Sequence, residues 1–226
     1  MITQAVLFDL DGTLLHTVPD LAAAVNAMLS DLGKPQIPEE QVGVYIGKGA
    51  ENLVHRSLTG SMTARASQAE YEQAMRIWQE HYLHFNGLHA CLYPGVLDGL
   101  NALQAAGFDL AVVTNKPERF THPLLARTGL AQYFEVVVGG DTCVEKKPSP
   151  MPILHACRLL GVQPERALMI GDSHNDAHAA HAAGTPCWLL PYGYNEGMPV
   201  QDTPCEAYIE TIAQAADRLL AKKVHP

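Results

Sequence analysis

Two aspartates stand two residues apart where the first apolar run ends, in Phe8-Asp9-Leu10-Asp11-Gly12-Thr13. While the chain is extended, side chains two apart leave the same side, so both carboxylates would converge on one point. Such a pair repels itself unless a cation sits between. Mg²⁺ suits it, because this ion takes a few carboxylate oxygens and completes its octahedron with water and substrate phosphate. The same D-x-D-G string also occurs in plain turns and calcium loops, so the rest of the chain must decide.

Three later segments bear on that choice. Val113-Thr114-Asn115 ends another apolar run in a hydroxyl and an amide able to donate to a phosphoryl group, although such residues also cap helices. Lys146-Lys147-Pro148-Ser149-Pro150 sets Lys147 just before a proline-marked helix start, where a cation would share a site with a helix N-terminus; the plainer alternative is surface lysine. Gly171-Asp172-Ser173-His174-Asn175-Asp176 directly follows a third apolar run. Two acids four apart, beside a glycine that lets backbone approach closely, suit a metal site better than a generic loop.

Positioning these residues requires strands that end on a common rim. Ala5–Phe8, Leu110–Val113, Val136–Val138, Ala167–Ile170 and Cys187–Leu190 read as buried strands. Helical stretches separate them: Leu97, Leu100 and Leu103 before Gly107, Ile153, Leu154 and Leu160 before Gly161, and Ala179, Ala180, Ala182 and Ala183 before Gly184. This alternation predicts an α/β fold with a Rossmann-like, doubly wound parallel sheet and chemistry at the carboxyl ends of the strands. Residues 16–88 break the rhythm. Leu21, Val25, Met28, Leu29 and Leu32 have helical spacing, Thr17 with Pro19 and Pro38 with Glu39 and Glu40 mark helix starts, and Tyr71, Met75, Trp78 and Tyr82 line one side of another helix. The expected organisation is a core of residues 1–15 and 89–226 with an inserted α-helical cap at 16–88, Gly87 marking the return. A bundle inserted there would sit above the strand ends and could close as a lid.

Composition narrows the partners. The 226 residues are 47% hydrophobic, enough for a full core, and the net charge of −9 disfavours binding to a nucleic-acid backbone. An acidic chain can still act on a small anion if a metal ion and a few lysines reverse the local field. No apolar stretch approaches the roughly 20 residues of a membrane span, and Asp9 and Asp11 interrupt the one near the start, against a signal peptide. The five cysteines, Cys91, Cys143, Cys157, Cys187 and Cys205, are odd in number and widely spaced, which suits a reducing cytoplasm.

Together, Asp9-Leu10-Asp11-Gly12-Thr13, Thr114-Asn115, Lys147-Pro148 and Gly171-Asp172-Ser173-His174-Asn175-Asp176 resemble, in order, the four motifs of haloacid dehalogenase-superfamily phosphatases, and within them the phosphoglycolate phosphatase group. The resemblance covers essentially the whole chain. It implies that Asp9 attacks phosphorus and also binds Mg²⁺, giving an aspartyl-phosphate. Asp11 would serve as acid and base, its backbone carbonyl also on the metal. It further implies that Thr114, Asn115 and Lys147 hold the phosphoryl oxygens, that Asp172 is a metal ligand, and that Asp176 completes the acidic shell through a metal-bound water or by orienting Lys147. The implied partner is a small phosphorylated metabolite, first 2-phosphoglycolate, with sugar phosphates or a phosphomutase reaction as rivals and a non-catalytic binding protein as a third class; the assembly is a monomer or homodimer. Asp11 and Asp172 argue against dehalogenation, and Thr13 stands where the mutases commonly carry valine. His16 replaces a usual aspartate at the entry to the cap, and Lys146 a glycine that commonly precedes the motif lysine.

Two further groups draw attention. Gly47-Lys48-Gly49 could read the substrate's non-phosphate end, with Lys48 meeting a carboxylate, or be a turn between cap helices. His174, His178 and His181 share a helical face, as a transition-metal site would need, but an alanine-rich helix beside an acidic motif fits ordinary exposed histidines better.

Overall fold

A computed structural model of the protein describes residues 3–224, so residues 1–2 and 225–226, the ends of the expected core, lie outside it. The strands are β1 (Ala5–Phe8), β2 (Leu15–His16), β3 (Cys91–Leu92), β4 (Asp109–Val113), β5 (Val136–Val138), β6 (Ala167–Gly171), β7 (Cys187–Leu189) and β8 (Ala207–Tyr208). Helices α1 (Val18–Asp31), α2 (Glu39–Tyr45), α3 (Ala50–Thr59) and α4 (Gln68–Phe85) fill the interval between β2 and β3. The remaining helices are α5 (Val96–Ala105), α6 (Glu118–Arg127), α7 (Met151–Leu160), α8 (His174–Ala183) and α9 (Ile212–Val224).

Six strands form one sheet in the order β5-β4-β1-β6-β7-β8, every neighbouring pair parallel. Short runs of β-branched and other apolar residues suit strands covered on both sides. Val6 and Phe8 pack with α5, α6 and α9, while Ala5 and Leu7 pack with α7 and α8, so successive residues of β1 serve opposite layers. The fold is the Rossmann-like α/β architecture the sequence predicts. After β1 the sheet grows to one side through β4 and β5, then crosses to the other side for β6, β7 and β8. A crevice opens at the carboxyl ends where the strand order reverses. Phe8 lies opposite both Val112 and Ile170, so the chain segments leaving β1, β4 and β6 emerge on the same rim.

The segment between β2 and β3 contains helices alone and has its own core, built from Val25, Met28, Leu29, Val54, Ala74, Trp78 and Tyr82. Phe120 of α6 joins that core and links it to the sheet layers. The chain leaves and returns side by side, because β2 and β3 pair antiparallel with Leu15 opposite Leu92. Asp20 fixes this junction. Fully buried near the start of α1, its carboxylate accepts the backbone N–H of Gly87 and His89, both at 2.7 Å, and of Ala90 at 3.2 Å. Asp20→Ala leaves three donors without their acceptor and is expected to lower stability by about 2–4 kcal/mol. Urea denaturation measures this; a loss under about 0.5 kcal/mol, the range of ordinary surface changes, would contradict the role assigned to Asp20.

Candidate active site

The strand ends border a cavity lined by Asp9, Asp11, Thr114, Asn115, Lys147, Asp172 and Asp176 from the sheet side and by residues of the helical segment opposite. Seven of the residues singled out in the sequence therefore meet in one place. Lys48 is not among the lining residues, although Gly47 and Gly49 on either side of it are. Its Nζ lies 3.2 Å from Glu196 instead, and its side chain is nearly half exposed.

Lys147 is the centre of the sheet side. Only 2% exposed, its ammonium donates to the Val113 carbonyl and to Asp176, both at 2.6 Å, and lies 2.9 Å from Asp9. Burial opposes its charge, but Asp176 and Asp9 outweigh burial and hold its pKa above the ordinary lysine value. Asp176 is fully buried, and its second oxygen accepts from the Ser173 hydroxyl at 2.7 Å and backbone N–H at 3.1 Å. This is the capping box of α8, so one carboxylate both starts a helix and orients the lysine. Of the two roles open for Asp176, the orientation of Lys147 is thus visible in its hydrogen bonds.

Asp172 is equally enclosed. Thr13 donates its hydroxyl at 2.7 Å and Tyr194 its backbone N–H. A side-chain carbon at Gly12 would come within 2.4 Å of Asp172, and one at Gly171 within 2.3 Å of Asp176. Only glycine leaves room for the carboxylates at these points. Oxygens of Asp9, Asp172 and Asp176 lie within 4.8 Å of one another. Burial, reinforced by the neighbouring acids, raises Asp172 well above the carboxylate range, and burial lifts Asp9 from 3.8 to about 6 despite Lys147. Asp9 Oδ1, though close to Lys147, is buried without an aligned hydrogen bond. Crowded, raised carboxylates with an orphaned oxygen are what a hard divalent cation relieves, and the all-oxygen donor set fits one.

Asp11 faces another way. β1 stops at Phe8, and the Leu10 carbonyl gathers the N–H groups of Thr13, Leu14 and Leu15 in a tight turn. The two carboxylates therefore line one cavity but face different cations rather than converging. Lys116 donates to both Asp11 oxygens at 2.8 and 2.9 Å, and the Thr17 hydroxyl donates to one at 2.7 Å. Thr17 does precede α1 as expected, but its hydroxyl serves Asp11 rather than capping the helix. Thr114 accepts the Lys116 N–H at 3.2 Å, leaving its own proton for a ligand. The Asn115 amide bridges to the carbonyls of Lys147 at 2.9 Å and Gly47 at 3.4 Å, and Asn175 reaches the same Gly47 carbonyl at 3.3 Å.

Lys116, Asn175, Tyr194 and Glu196 were not singled out by sequence. Lys116 follows Thr114-Asn115 directly, and that adjacency was its one available signal. His16 Nδ1 sits 2.7 Å from the Tyr194 hydroxyl, which explains how a histidine is accommodated at the entry to the helical segment. His174 engages Asn195 at 2.8 Å and His181 lies 3.4 Å from Glu206, so these two rings turn to separate partners.

With this geometry in view, comparison with known proteins is direct. The sequence profile of the haloacid dehalogenase-like hydrolases matches residues 6–190, and the chain belongs to that family. It is an enzyme of the family's phosphatase branch. A Thiobacillus denitrificans protein named phosphoglycolate phosphatase is 48% identical over 94% of each chain. One of the same name from Nitrosospira multiformis is 50% identical over 94% of this chain and 93% of its own. Among solved structures, a predicted phosphoglycolate phosphatase from Haemophilus somnus superposes with a TM-score of 0.90 at 35% identity, covering 96% of this chain and 97% of its own. CbbY from Rhodobacter sphaeroides, crystallised with phosphate, gives 0.78 at 27% identity over 94% and 96%.

Lys147→Met removes the cation that faces Asp9 and Asp176. The expected loss is about 3–5 kcal/mol at pH 8, because the acids then stay buried and unpaired. Since Asp9 already titrates at about 6 when folded against 3.8 when unfolded, its ionisation weighs against the native state increasingly across that window. Removing the lysine raises Asp9 further, so below about 6 wild type and variant both hold it neutral, and the loss should shrink as pH falls from 8 toward 6. Denaturation curves of both proteins between pH 4.5 and 8 check this; a loss independent of pH would contradict it.

Proposed function

We propose that the protein hydrolyses 2-phosphoglycolate through an aspartyl-phosphate on Asp9, with Mg²⁺ held by Asp9, Asp172 and the Asp11 backbone carbonyl. The observation that carries the proposal is Asp9 itself, at the carboxyl end of the central strand, 2.9 Å from a buried lysine and grouped with two further acids. The names of the relatives supply the substrate.

The phosphoryl group lies between Asp9, Thr114 and Lys147. An Asp9 oxygen bonds to phosphorus as the bond from phosphorus to the substrate's alcohol oxygen breaks, and Asp11 delivers a proton to that departing oxygen. Asp11 then takes a proton from water attacking the acyl phosphate, which releases inorganic phosphate and restores Asp9. Lys147 and the Thr114 hydroxyl hold the equatorial oxygens, where fixed charge and donors lower the barrier most. When bound, Mg²⁺ would offset the mutual repulsion of the acids and the incoming phosphate. Residues 16–88 act as a cap on a core of residues 1–15 and 89–226. Support for this comes from the Gly47 carbonyl, gripped by Asn115 and Asn175, and from a cavity lined by both parts.

Asp9→Asn should reduce phosphate release by at least about a thousandfold while preserving the fold, since it removes the nucleophile. Full activity in that variant would reject the covalent route, and absence of release from any phosphomonoester by the wild type would reject hydrolysis altogether. Mg²⁺ at about a hundred times its Kd should stabilise the wild type by about 2.7 kcal/mol, seen as a higher Tm. Asp172→Asn should abolish that rise; an equal rise in the variant would place the ion elsewhere.

A further inference from the structure

The cavity has a second polar end that the reaction at Asp9 leaves unused. Lys116 is buried between Asp11 and the face of Tyr82, its Nζ 5.0 Å from the ring centre. Its ammonium donates to both Asp11 oxygens. Tyr82 stacks on Trp78 with ring centres 4.8 Å apart, and both rings line the cavity while being only 1% exposed. The Tyr82 hydroxyl and the Trp78 Nε1 are both buried without a hydrogen-bond partner. Lys116, Tyr82 and Trp78 thus line the side of the cavity formed by α4 and the segment after β4. Buried donors without acceptors are costly, so such a cluster favours a ligand that accepts hydrogen bonds and carries negative charge.

We propose that Lys116, Tyr82 and Trp78 form a subsite for a carboxylate on the alcohol portion of the substrate, selecting phosphomonoesters of small hydroxy acids. This rests on the hydrolase reading given above and names the residues that set its specificity. Lys48, paired with Glu196 away from the cavity wall, does not take this part. Binding has a second effect. The substrate carboxylate draws the Lys116 ammonium off Asp11, so that Asp11 keeps Thr17 as its hydrogen-bond donor and is freed toward the ester oxygen. A neutral alcohol portion leaves Lys116 on Asp11 and the two aromatic donors unpaired, which is how a site built for a polar group rejects an analogue lacking it.

The test compares 2-phosphoglycolate with ethyl phosphate in the wild type, Lys116→Met and Tyr82→Phe, all with Mg²⁺ and with folding verified by thermal melts. Lys116→Met should cut the ratio of the two kcat/KM values by about a hundredfold, chiefly by raising KM for 2-phosphoglycolate, and Tyr82→Phe should cut it by about fivefold. Glycolate should compete with 2-phosphoglycolate in the wild type and lose potency in Lys116→Met. Equal losses on both esters in Lys116→Met would overturn the subsite, leaving Lys116 as a partner of Asp11 alone. If that variant does not fold, an unchanged ratio in Tyr82→Phe overturns it. A wild type that hydrolyses both esters equally well also overturns the subsite while leaving the hydrolase reading intact. A wild type releasing phosphate from neither would remove both.

Discussion

One buried ammonium stands against three closely grouped carboxylates, and the architecture of the site is organised around that imbalance. Lys147 touches Asp9, Asp176 and a strand carbonyl, with Lys147 and Asp176 buried and Asp9 half-buried at the cavity wall. Like charges this close raise one another's pKa, and a single lysine does not cancel them. The surplus of negative charge is what a hard divalent cation would relieve, and the lysine is the one positive charge facing this cluster. Each acid is held by bonds that also shape the backbone: Asp176 caps α8, Asp172 receives Thr13 and Tyr194, and Asp9 follows the last residue of β1. The charge pattern and the parallel sheet are therefore parts of one arrangement.

Splitting the two motif aspartates between two cations gives each a distinct environment. Asp9 faces Lys147 and the acid cluster, whereas Asp11 faces Lys116 and Thr17. Two carboxylates with the same surroundings would do the same job; set apart, they are open to different ones. The tight turn after Leu10 produces this separation, since continued extension would have aimed both at the same point.

The core sheet was largely legible in the sequence because its strands are apolar runs buried on both faces. Cys187–Leu190 was expected and Cys187–Leu189 observed, a difference of one residue at a strand end. Strands β2, β3 and β8 each have two residues, too few for any periodicity to register. Helix α3 was hidden for another reason: His55, Arg56 and Ser57 are buried, so polar side chains interrupt the apolar stripe that marks a helix. Among the site residues, Asp9, Asp11, Thr114, Asn115, Lys147, Asp172 and Asp176 were legible as strand-end motifs. Lys116, Asn175 and Tyr194 were not, because a residue that turns back across 105 positions to meet Asp11, or 128 to meet Gly47, leaves no local pattern. Trp78 and Tyr82, read from their spacing as one side of a helix, are buried and also line the cavity, a double role that hydrophobic spacing does not distinguish.

The pairing of Leu15 with Leu92 places the departure and return of the four-helix segment side by side. Both crossings of the chain between the two parts are therefore neighbours, while Phe120 and the Gly47 carbonyl tie the segment to the sheet layers at further points. Such a joint lets the helical segment bring Trp78 and Tyr82 to the cavity while the pairing of β1 with β4 and β6, which carries Asp9, Thr114 and Asp172 to their shared rim, stays within the sheet. It also tells a protein engineer where to cut.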